Sequence, residues 1–296
     1  MTNLPSKCVQ LLEGHKGPVY VVKFTHGGKY CLSCSSDKTI KLWNPYLGAH
    51  IKTYVGHGYG ITDIDVSLDN SKIFSCGGGN SVFMWDVTRG KIFRKFSEHE
   101  LKVDTLCLNN ESSILLTGSF DKTVKCWDLK SRSYSSIQTL TGFTDTVTSI
   151  STTDYEIICG SVDGHIRIFD LRVGKMFDDN INFSISNVSL SNDNKCILAS
   201  CLNSKHYLIN KTNGDLLNTY QGHKNQDYRL SSCLTYDDSH VVSCSEDGKL
   251  YFWDLVGSKV AKTLNLGTST LCGLSYHPSK HILLTSSVNG KIYVMQ

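Results

Sequence analysis

Three stretches of the chain read almost alike: Ser33-Cys-Ser-Ser-Asp-Lys-Thr-Ile-Lys-Leu-Trp43, Thr117-Gly-Ser-Phe-Asp-Lys-Thr-Val-Lys-Cys-Trp127 and Ser243-Cys-Ser-Glu-Asp-Gly-Lys-Leu-Tyr-Phe-Trp253. Weaker copies of this ending recur along the chain, and the seven ends are Trp43, Trp85, Trp127, Phe169, Ile209, Trp253 and Met295. The gaps between them are 42, 42, 42, 40, 44 and 42 residues. A fixed period of this length with an aromatic end predicts an all-β propeller of seven four-stranded blades.

The two ends of the chain complement each other. Residues 8–12 form an extended segment before the first repeat, whereas the chain stops at Gln296, directly after a third strand. We expect the first segment to supply the missing fourth strand of the last blade, because this would close the ring and remove two free sheet edges. Seven repeats use nearly all 296 residues, so we expect a single domain over residues 1–296.

Composition excludes several classes of protein. The net charge of +3 does not favour direct nucleic-acid binding, and no apolar run is long enough to cross a membrane. The twelve cysteines lie mostly in apolar strand patterns, and strand alternation points Cys31 and Cys34 to opposite faces. We therefore expect free thiols, no metal site and no cofactor, in a protein of the cytoplasm and the nucleus.

Gly-His, then Ser or Thr, then Asp, then Trp resembles the WD-repeat family. The resemblance implies a hydrogen-bonded network inside a blade, from indole to hydroxyl to imidazole to carboxylate. The residues that match this network are His15, Ser33, Asp37 and Trp43; His99, Thr117, Asp121 and Trp127; and His223, Ser243, Asp247 and Trp253. Because the set recurs, we interpret it as structural and not as a catalytic triad, and we expect no enzyme activity.

The same resemblance places the Gly-His loops and the loops before the Asp on one rim, which is the usual partner-binding face. The sixth repeat has 30 residues from His223 to Trp253, against 28 between the equivalent residues of the first three repeats. The extra length falls in a polar loop with a tyrosine and an arginine, both common in interfaces. Our candidate partner-binding residues are Tyr59, Lys102, Phe120, Phe143, Asn225, Gln226, Asp227, Tyr228, Arg229 and Glu246.

Several longer stretches are similar to the mitogen-activated protein kinase organiser family of single-domain WD-repeat scaffolds. They include residues 36–45, 53–59, 160–164, 222–228 and 241–256. That resemblance implies a scaffold that binds kinase-cascade components in the cytoplasm, splicing factors of the spliceosome in the nucleus, or both. A closed ring has no need to dimerise, so we expect a monomer.

Two alternatives stay open. Phe169-Asp170-Leu171-Arg172 resembles the box through which some WD-repeat proteins dock to the adaptor of a cullin-type ubiquitin ligase, with Arg172 as the contact residue. An RNA-contacting subunit of a ribonucleoprotein would need a basic, aromatic-rich rim. The rim lysines that could serve it are Lys16, Lys38, Lys102, Lys122 and Lys224.

Overall fold

The computed structural model describes residues 4–296, which form seven antiparallel sheets of four strands each. The chain begins with β1 (Cys8–Leu12). Blades one to three contain β2 (Val19–Phe24), β3 (Cys31–Ser35), β4 (Thr39–Asn44) and β5 (Ala49–Val55); β6 (Ile61–Val66), β7 (Lys72–Gly77), β8 (Val82–Asp86) and β9 (Ile92–Phe96); and β10 (Val103–Leu108), β11 (Ile114–Ser119), β12 (Val124–Asp128) and β13 (Gln138–Leu140). Each blade pairs its strands in chain order.

Blades four to six follow the same order. They contain β14 (Val147–Thr152), β15 (Glu156–Ser161), β16 (His165–Asp170) and β17 (Lys175–Asn180); β18 (Ile185–Leu190), β19 (Cys196–Cys201), β20 (Lys205–Asn210) and β21 (Leu216–Gln221); and β22 (Ser232–Leu234), β23 (His240–Cys244), β24 (Lys249–Asp254) and β25 (Val260–Asn265). Blade seven combines β26 (Leu271–Tyr276), β27 (Leu283–Ser287) and β28 (Ile292–Met295) with β1.

The first strand closes the ring, as the sequence predicts. β1 runs antiparallel to β28, with Cys8 opposite Met295 and Leu12 opposite Ile292. Leu12 is 1% exposed and belongs to the apolar cluster that joins blade seven to Trp43 of blade one. The outermost strand of the last blade therefore comes from the start of the chain.

The core lies between neighbouring blades, because each sheet buries both of its faces. Leu32 and Ile40 of blade one, for example, pack against Ile61 and Ile73 of blade two. Cys31 and Cys34 belong to different clusters, on opposite faces of β3. All twelve cysteines, each within residues 4–296, are free thiols.

The innermost strands share a bulge near the point where they begin. In six of the seven blades the pairing register shifts there, for example between Val19 and Val21 in blade one and between Val103 and Thr105 in blade three. Blade six differs, because β22 starts late at Ser232 and residues 225–231 form an irregular loop in front of it. The extra length of the sixth repeat therefore lies at the entrance of the central channel.

The hydrogen-bonded network is present in blades one and three. In blade one, Trp43 Nε1 donates to Ser33 Oγ at 2.8 Å, His15 Nε2 lies 2.7 Å from the same hydroxyl, and His15 Nδ1 lies 2.8 Å from Asp37 Oδ2. Burial opposes ionisation of Asp37, but hydrogen bonds from Thr39, the Lys16 amide and His15 outweigh it and lower the pKa of Asp37 to about 2.

Blade three repeats the arrangement with a threonine. Trp127 Nε1 donates to Thr117 Oγ1 at 2.9 Å, and His99 bridges that hydroxyl to Asp121 at 2.8 and 2.7 Å. Burial lowers the pKa of His99, although Asp121 opposes the shift. The imidazole is therefore neutral at pH 7 and can serve both neighbours as one donor and one acceptor.

Blade six does not form this network, which corrects the sequence prediction for its four residues. Trp253 Nε1 donates instead to the carbonyl of Gln221 at 3.0 Å, and Ser243 Oγ donates to the carbonyl of Cys244 at 2.8 Å. Asp247 accepts from the hydroxyl of Tyr251 at 2.9 Å. Each expected partner of His223 is thus engaged elsewhere.

A second histidine lies against His223 in blade six. His206 of blade five stacks on His223 with 4.1 Å between ring centres and 5° between ring planes. Burial lowers the pKa of His223 to about 4, and burial followed by the neighbouring His223 lowers that of His206 well below its usual value. Two neutral rings can stack without charge repulsion, and His206 also meets Trp253 edge-on at 5.4 Å between ring centres.

The same serine-to-alanine substitution in blades one and six tests this difference. We expect Ser33→Ala to lower the free energy of unfolding by about 2–3 kcal/mol, because Trp43 and His15 both lose their buried partner. Ser243→Ala removes only a bond to a carbonyl, so we expect a loss of about 1 kcal/mol or less. Urea unfolding of both variants measures the difference, and equal losses would contradict the assignment of the network to blade one.

Candidate functional site

The innermost strands begin around a cavity of about 480 Å³ at the entrance of the channel. We call it the mouth cavity, and the side chains that define it are Tyr20, Tyr59, Lys102, Asp104, Asp227, Tyr228 and Arg229. Five of the ten candidate residues, from three different blades, therefore meet at one place. The three tyrosines come from blades one, two and six, so no single repeat carries the site.

Tyr59 is held at the rim by a run of three glycines. It is 64% exposed, and its Cβ lies 2.8 Å from where a Cβ on Gly78 would be. A Cβ on Gly79 would lie 3.4 Å from the ring itself. A side chain on Gly78 would thus displace Tyr59. Blade two has Gly79 where blades one and three have an aspartate, and the Tyr59 ring lies beside it.

The network of blade two is shortened accordingly. His57 Nε2 lies 2.7 Å from Ser75 Oγ, which also accepts from Trp85 Nε1 at 2.8 Å, and residue 79 offers no carboxylate. Burial lowers the pKa of His57 to about 4. Blade two therefore keeps the hydrogen bonds among His57, Ser75 and Trp85, but no carboxylate continues them to the rim, where Tyr59 lies.

The long loop of blade six is fixed by one carboxylate. Glu246 Oε1 accepts from the backbone N–H groups of Gln226, Asp227 and Tyr228 at 2.7, 2.7 and 3.2 Å. Burial acts to raise the pKa of Glu246, but these N–H groups and Lys224 outweigh it and lower the pKa. Glu246 therefore orders the loop that presents Tyr228, and is not itself an outward-facing contact.

Asn225 is also a positioning residue, which corrects its assignment to the partner-binding surface. It is fully buried, and its backbone N–H donates to Ser204 Oγ of blade five at 2.9 Å. Its neighbours Gln226 and Asp227 are exposed. The loop is thus clamped between two blades at its base and open only at its tip.

Arg229 points into the channel and not outward from the rim. Its guanidinium donates to the carbonyl of Asp104 at 2.8 Å and lies 3.5 Å from the Asp63 carboxylate. An arginine of blade six thereby reaches blades two and three across the opening. It forms the floor of the mouth cavity, so its prediction as a surface contact is corrected to a structural bridge.

Lys102 and Phe120 extend the rim on blade three. Lys102 Nζ lies 2.8 Å from Asp104 Oδ1 and 4.7 Å from the centre of the Phe120 ring, which is 41% exposed. Lys224 is likewise paired with Glu246, at 3.5 Å. Two of the five rim lysines are therefore neutralised by acids, which weakens a case for RNA.

Phe143 is not on the surface, which is a further correction. It is 6% exposed and packs 6.0 Å from Phe169, with the Arg167 guanidinium 5.0 Å above its ring. Arg167 in turn binds Asp163 at 2.9 Å. Blade four thus replaces the imidazole–indole pair by two phenylalanines and an ion pair, and Phe143 is a core residue.

Arg172 lies at the opposite end of the channel from the mouth cavity, after the third strand of blade four. Its guanidinium binds Asp170 at 2.7 Å and covers the ring of Tyr155 at 5.0 Å. The side chain is nevertheless 57% exposed. A partner at Arg172 and one at the mouth cavity would occupy different faces.

Tyr20 and Asp104 are site residues that we did not predict from the sequence. They and Thr62 occupy the bulge of their innermost strands and follow one another at the repeat period. Aligning the repeats on the first strand, instead of on the tryptophan, would have shown them next to the channel. The motif at the blade end carries no such information.

No three His, Cys, Asp or Glu side chains within residues 4–296 converge as metal ligands. Nor does this range contain a helix of the length and apolarity needed to cross a membrane.

Comparison with known proteins agrees with the repeat analysis. The WD domain, G-beta repeat family matches residues 6–44, and the Nucleolar protein 10-like, N-terminal domain family of β-propellers matches residues 28–251. The chain is 46% identical to WD repeat domain-containing protein 83 of Homo sapiens, over 96% of this chain and 90% of that protein. It is 35% identical to the homolog of that protein in Dictyostelium discoideum, over 97% of both chains. Agreement with WD-repeat proteins over almost the whole length, together with the seven-bladed ring, shows that the chain belongs to the WD-repeat β-propeller family.

Proposed function

We propose that this chain is a non-catalytic scaffold that binds a partner protein at the mouth cavity and its rim. The propeller fold supports a protein-interaction role, since a rigid ring displays loops from several blades on one face. The bound proteins are kinase-cascade components in the cytoplasm, splicing factors in the nucleus, or both. That choice of partners rests on the resemblance of residues 222–228 and 241–256 to the kinase-organiser scaffolds.

One observation carries the proposal: three aromatic side chains stay exposed around a single cavity. Tyr59, Phe120 and Tyr228 are 64%, 41% and 42% exposed. Exposed aromatic residues grouped on one rim are typical of protein interfaces, where tyrosine is enriched among the residues that contribute most to binding. Glu246 orders the backbone that carries Tyr228, and the glycine run leaves room for Tyr59, so less backbone entropy is lost on binding.

Affinity capture from cell extract tests the proposal. We expect a Tyr59→Ala, Tyr228→Ala double variant to lose at least about tenfold in the recovery of kinase-cascade proteins or splicing factors. Both side chains are on the surface, so the variant should melt within about 2 °C of the unmodified protein. Arg229 is left unchanged, because its loss would affect folding as well as binding.

Two control variants act on the opposite face. Tyr155→Ala removes a ring that is 54% exposed near Arg172, and it should leave the recovered proteins unchanged. Arg172→Ala tests the ligase alternative, since loss of a cullin adaptor in this variant alone would favour that role. If the folded Tyr59/Tyr228 variant recovers the same proteins as the unmodified chain, the mouth cavity is not the interface.

A further inference from the structure

We infer that the mouth cavity binds an organic cation, namely the ammonium or guanidinium group of a lysine or arginine side chain on the partner. This inference rests on the proposed function, since it specifies which chemistry of a partner the cavity recognises. Three features of the cavity support it: its aromatic walls, its one unpaired charge and the engagement of its own cations.

The walls offer uncovered aromatic faces. Tyr20, Tyr59 and Tyr228 all line the cavity, from three blades. Across residues 4–296, none of the three rings stacks on another aromatic ring, and none lies beneath an internal Lys or Arg, although other rings of the protein do both. Tyrosine faces carry negative potential and attract cations placed within about 6 Å of the ring centre.

The one unpaired charge on the wall is negative. Asp227 is exposed at the rim, its side chain has no ion-pair or hydrogen-bond partner within residues 4–296, and its backbone N–H is held by Glu246. The backbone of Asp227 is therefore held in position, while its carboxylate stays unpaired among the described residues. A cation that enters between the tyrosines would meet a charge of opposite sign.

The basic side chains of the cavity are already paired with carboxylates. Arg229 lies between Asp63 and Asp104, and Lys102 is 2.8 Å from Asp104. The lining holds two carboxylates, Asp104 and Asp227, against Lys102 and Arg229, and the Asp63 carboxylate also lies 3.5 Å from Arg229. An anionic ligand such as a phosphate or a carboxylate would have to displace these pairs and approach Asp227, which makes an anion the disfavoured occupant.

Choline and 3,3-dimethyl-1-butanol form a matched pair of probes, because they share shape and size and differ in charge. The protein carries 3-fluorotyrosine, and the ¹⁹F signals of Tyr20, Tyr59 and Tyr228 are assigned from their loss in the Tyr→Phe variants. We expect choline to shift these signals saturably, and the neutral alcohol to bind at least about fivefold more weakly. Sodium acetate is expected to leave them unchanged.

Three variants locate the effect. Asp227→Asn should weaken choline binding by about threefold to tenfold and leave the alcohol unaffected, because only the charge is removed. Tyr59→Leu should weaken choline binding by a similar factor, since it keeps apolar bulk but removes an aromatic face. Tyr155→Leu, on the opposite face and 54% exposed, should change neither. Each variant's melting temperature is compared with that of the unmodified protein to confirm folding.

Binding of choline and of its neutral isostere with equal affinity would overturn the inference, as would shifts caused by acetate or a lack of saturation by choline. We then compare the affinities of Nα-acetyl-lysine amide, its trimethylated form and Nα-acetyl-arginine amide. Their order indicates which side chain of the partner the cavity prefers. If choline fails but protein capture still depends on Tyr59 and Tyr228, the scaffold function stands and only the cation preference falls. If choline binds but capture is unchanged, the cation site stands and the scaffold function of this face falls.

Discussion

A chain that lacks residues 1–12 is expected to lose at least about 5 kcal/mol of folding stability, a large part of the total stability of an ordinary domain. The deletion removes β1, the outermost strand of blade seven, and with it Leu12, which is 1% exposed. The loss of a buried leucine side chain alone costs about 2–5 kcal/mol, and each backbone hydrogen bond adds about 1 kcal/mol. We expect the melting temperature to fall by about 10 °C or more, measured by circular dichroism.

Two variants control for the truncation itself. A chain that starts at residue 4 keeps Leu4 in its apolar cluster, β1, and the bonds from the Ser6 and Lys7 amides to the carbonyl of Gln296, at 2.8 and 3.1 Å. We expect it to melt close to the full chain. Leu12→Ala should give an intermediate loss of about 2–4 kcal/mol. A 1–12 deletion that melts like the full chain would show that ring closure by β1 contributes nothing.

Arg229→Met is expected to lower the free energy of unfolding by about 3 kcal/mol. The change leaves Asp63 and Asp104 in the channel without their shared guanidinium, and removal of one partner of a buried pair costs about 3–5 kcal/mol. We take the lower end of this range because the Arg229 side chain is 29% exposed. Arg229→Lys keeps the charge and should lose less, and Tyr228→Leu next to it should be nearly neutral.

The Arg229→Met deficit should also depend on pH. Burial raises the pKa of Asp63, and Arg229 and Lys23 oppose that rise. Without Arg229 the folded-state pKa rises further above the unfolded value, so the folded state loses stability as pH increases between the two values. We therefore expect the full deficit at pH 7 and a smaller one near about pH 4, where the Asp63 carboxyl is protonated in the folded variant and about half protonated in the unfolded chain. A deficit of equal size at both pH values in urea unfolding would contradict this account.

The sequence predicts the ring well because its signals lie within single repeats. The gap of six residues from Asp37 to Trp43 recurs along the chain, and each copy places one turn and one strand. The closing role of β1 also follows from counting strands. These inferences need only the period of the chain and the alternation of strand residues, both of which are local.

Contacts between repeats are harder to predict. His206 stands where blade one has Ile40, and nothing in blade five indicates that it will stack on His223 of blade six. The motif in blade six is complete in sequence, yet its network is absent, and its histidine stacks on a ring of the neighbouring blade instead. A motif defined within one repeat does not indicate which side chains of the neighbouring blade will contact it.

The candidate site shows the same division. The longer sixth repeat predicts an additional loop, and that loop does lie at the channel entrance. Its length alone does not tell which side chains turn inward, so the sequence places Asn225 and Arg229 on the surface, whereas one is buried and the other bridges the channel. Buried carboxylates on distant blades, Asp63 and Asp104, determine the direction of Arg229, and only the fold brings them together.

Closure of the ring by β1 has a consequence for synthesis of the protein on the ribosome. Among the strands of the ring β1 is made first and β28 last, so blade seven stays incomplete until β28 has left the ribosome. Until then the nascent chain exposes an unpaired segment and the open flank of blade one, including the apolar surface around Trp43. Pairing across nearly the whole chain is also slow, because a very long loop must close. Newly made protein is thus for a time an open ring, with β1 not yet paired to β28. During this interval it depends most on protection from aggregation.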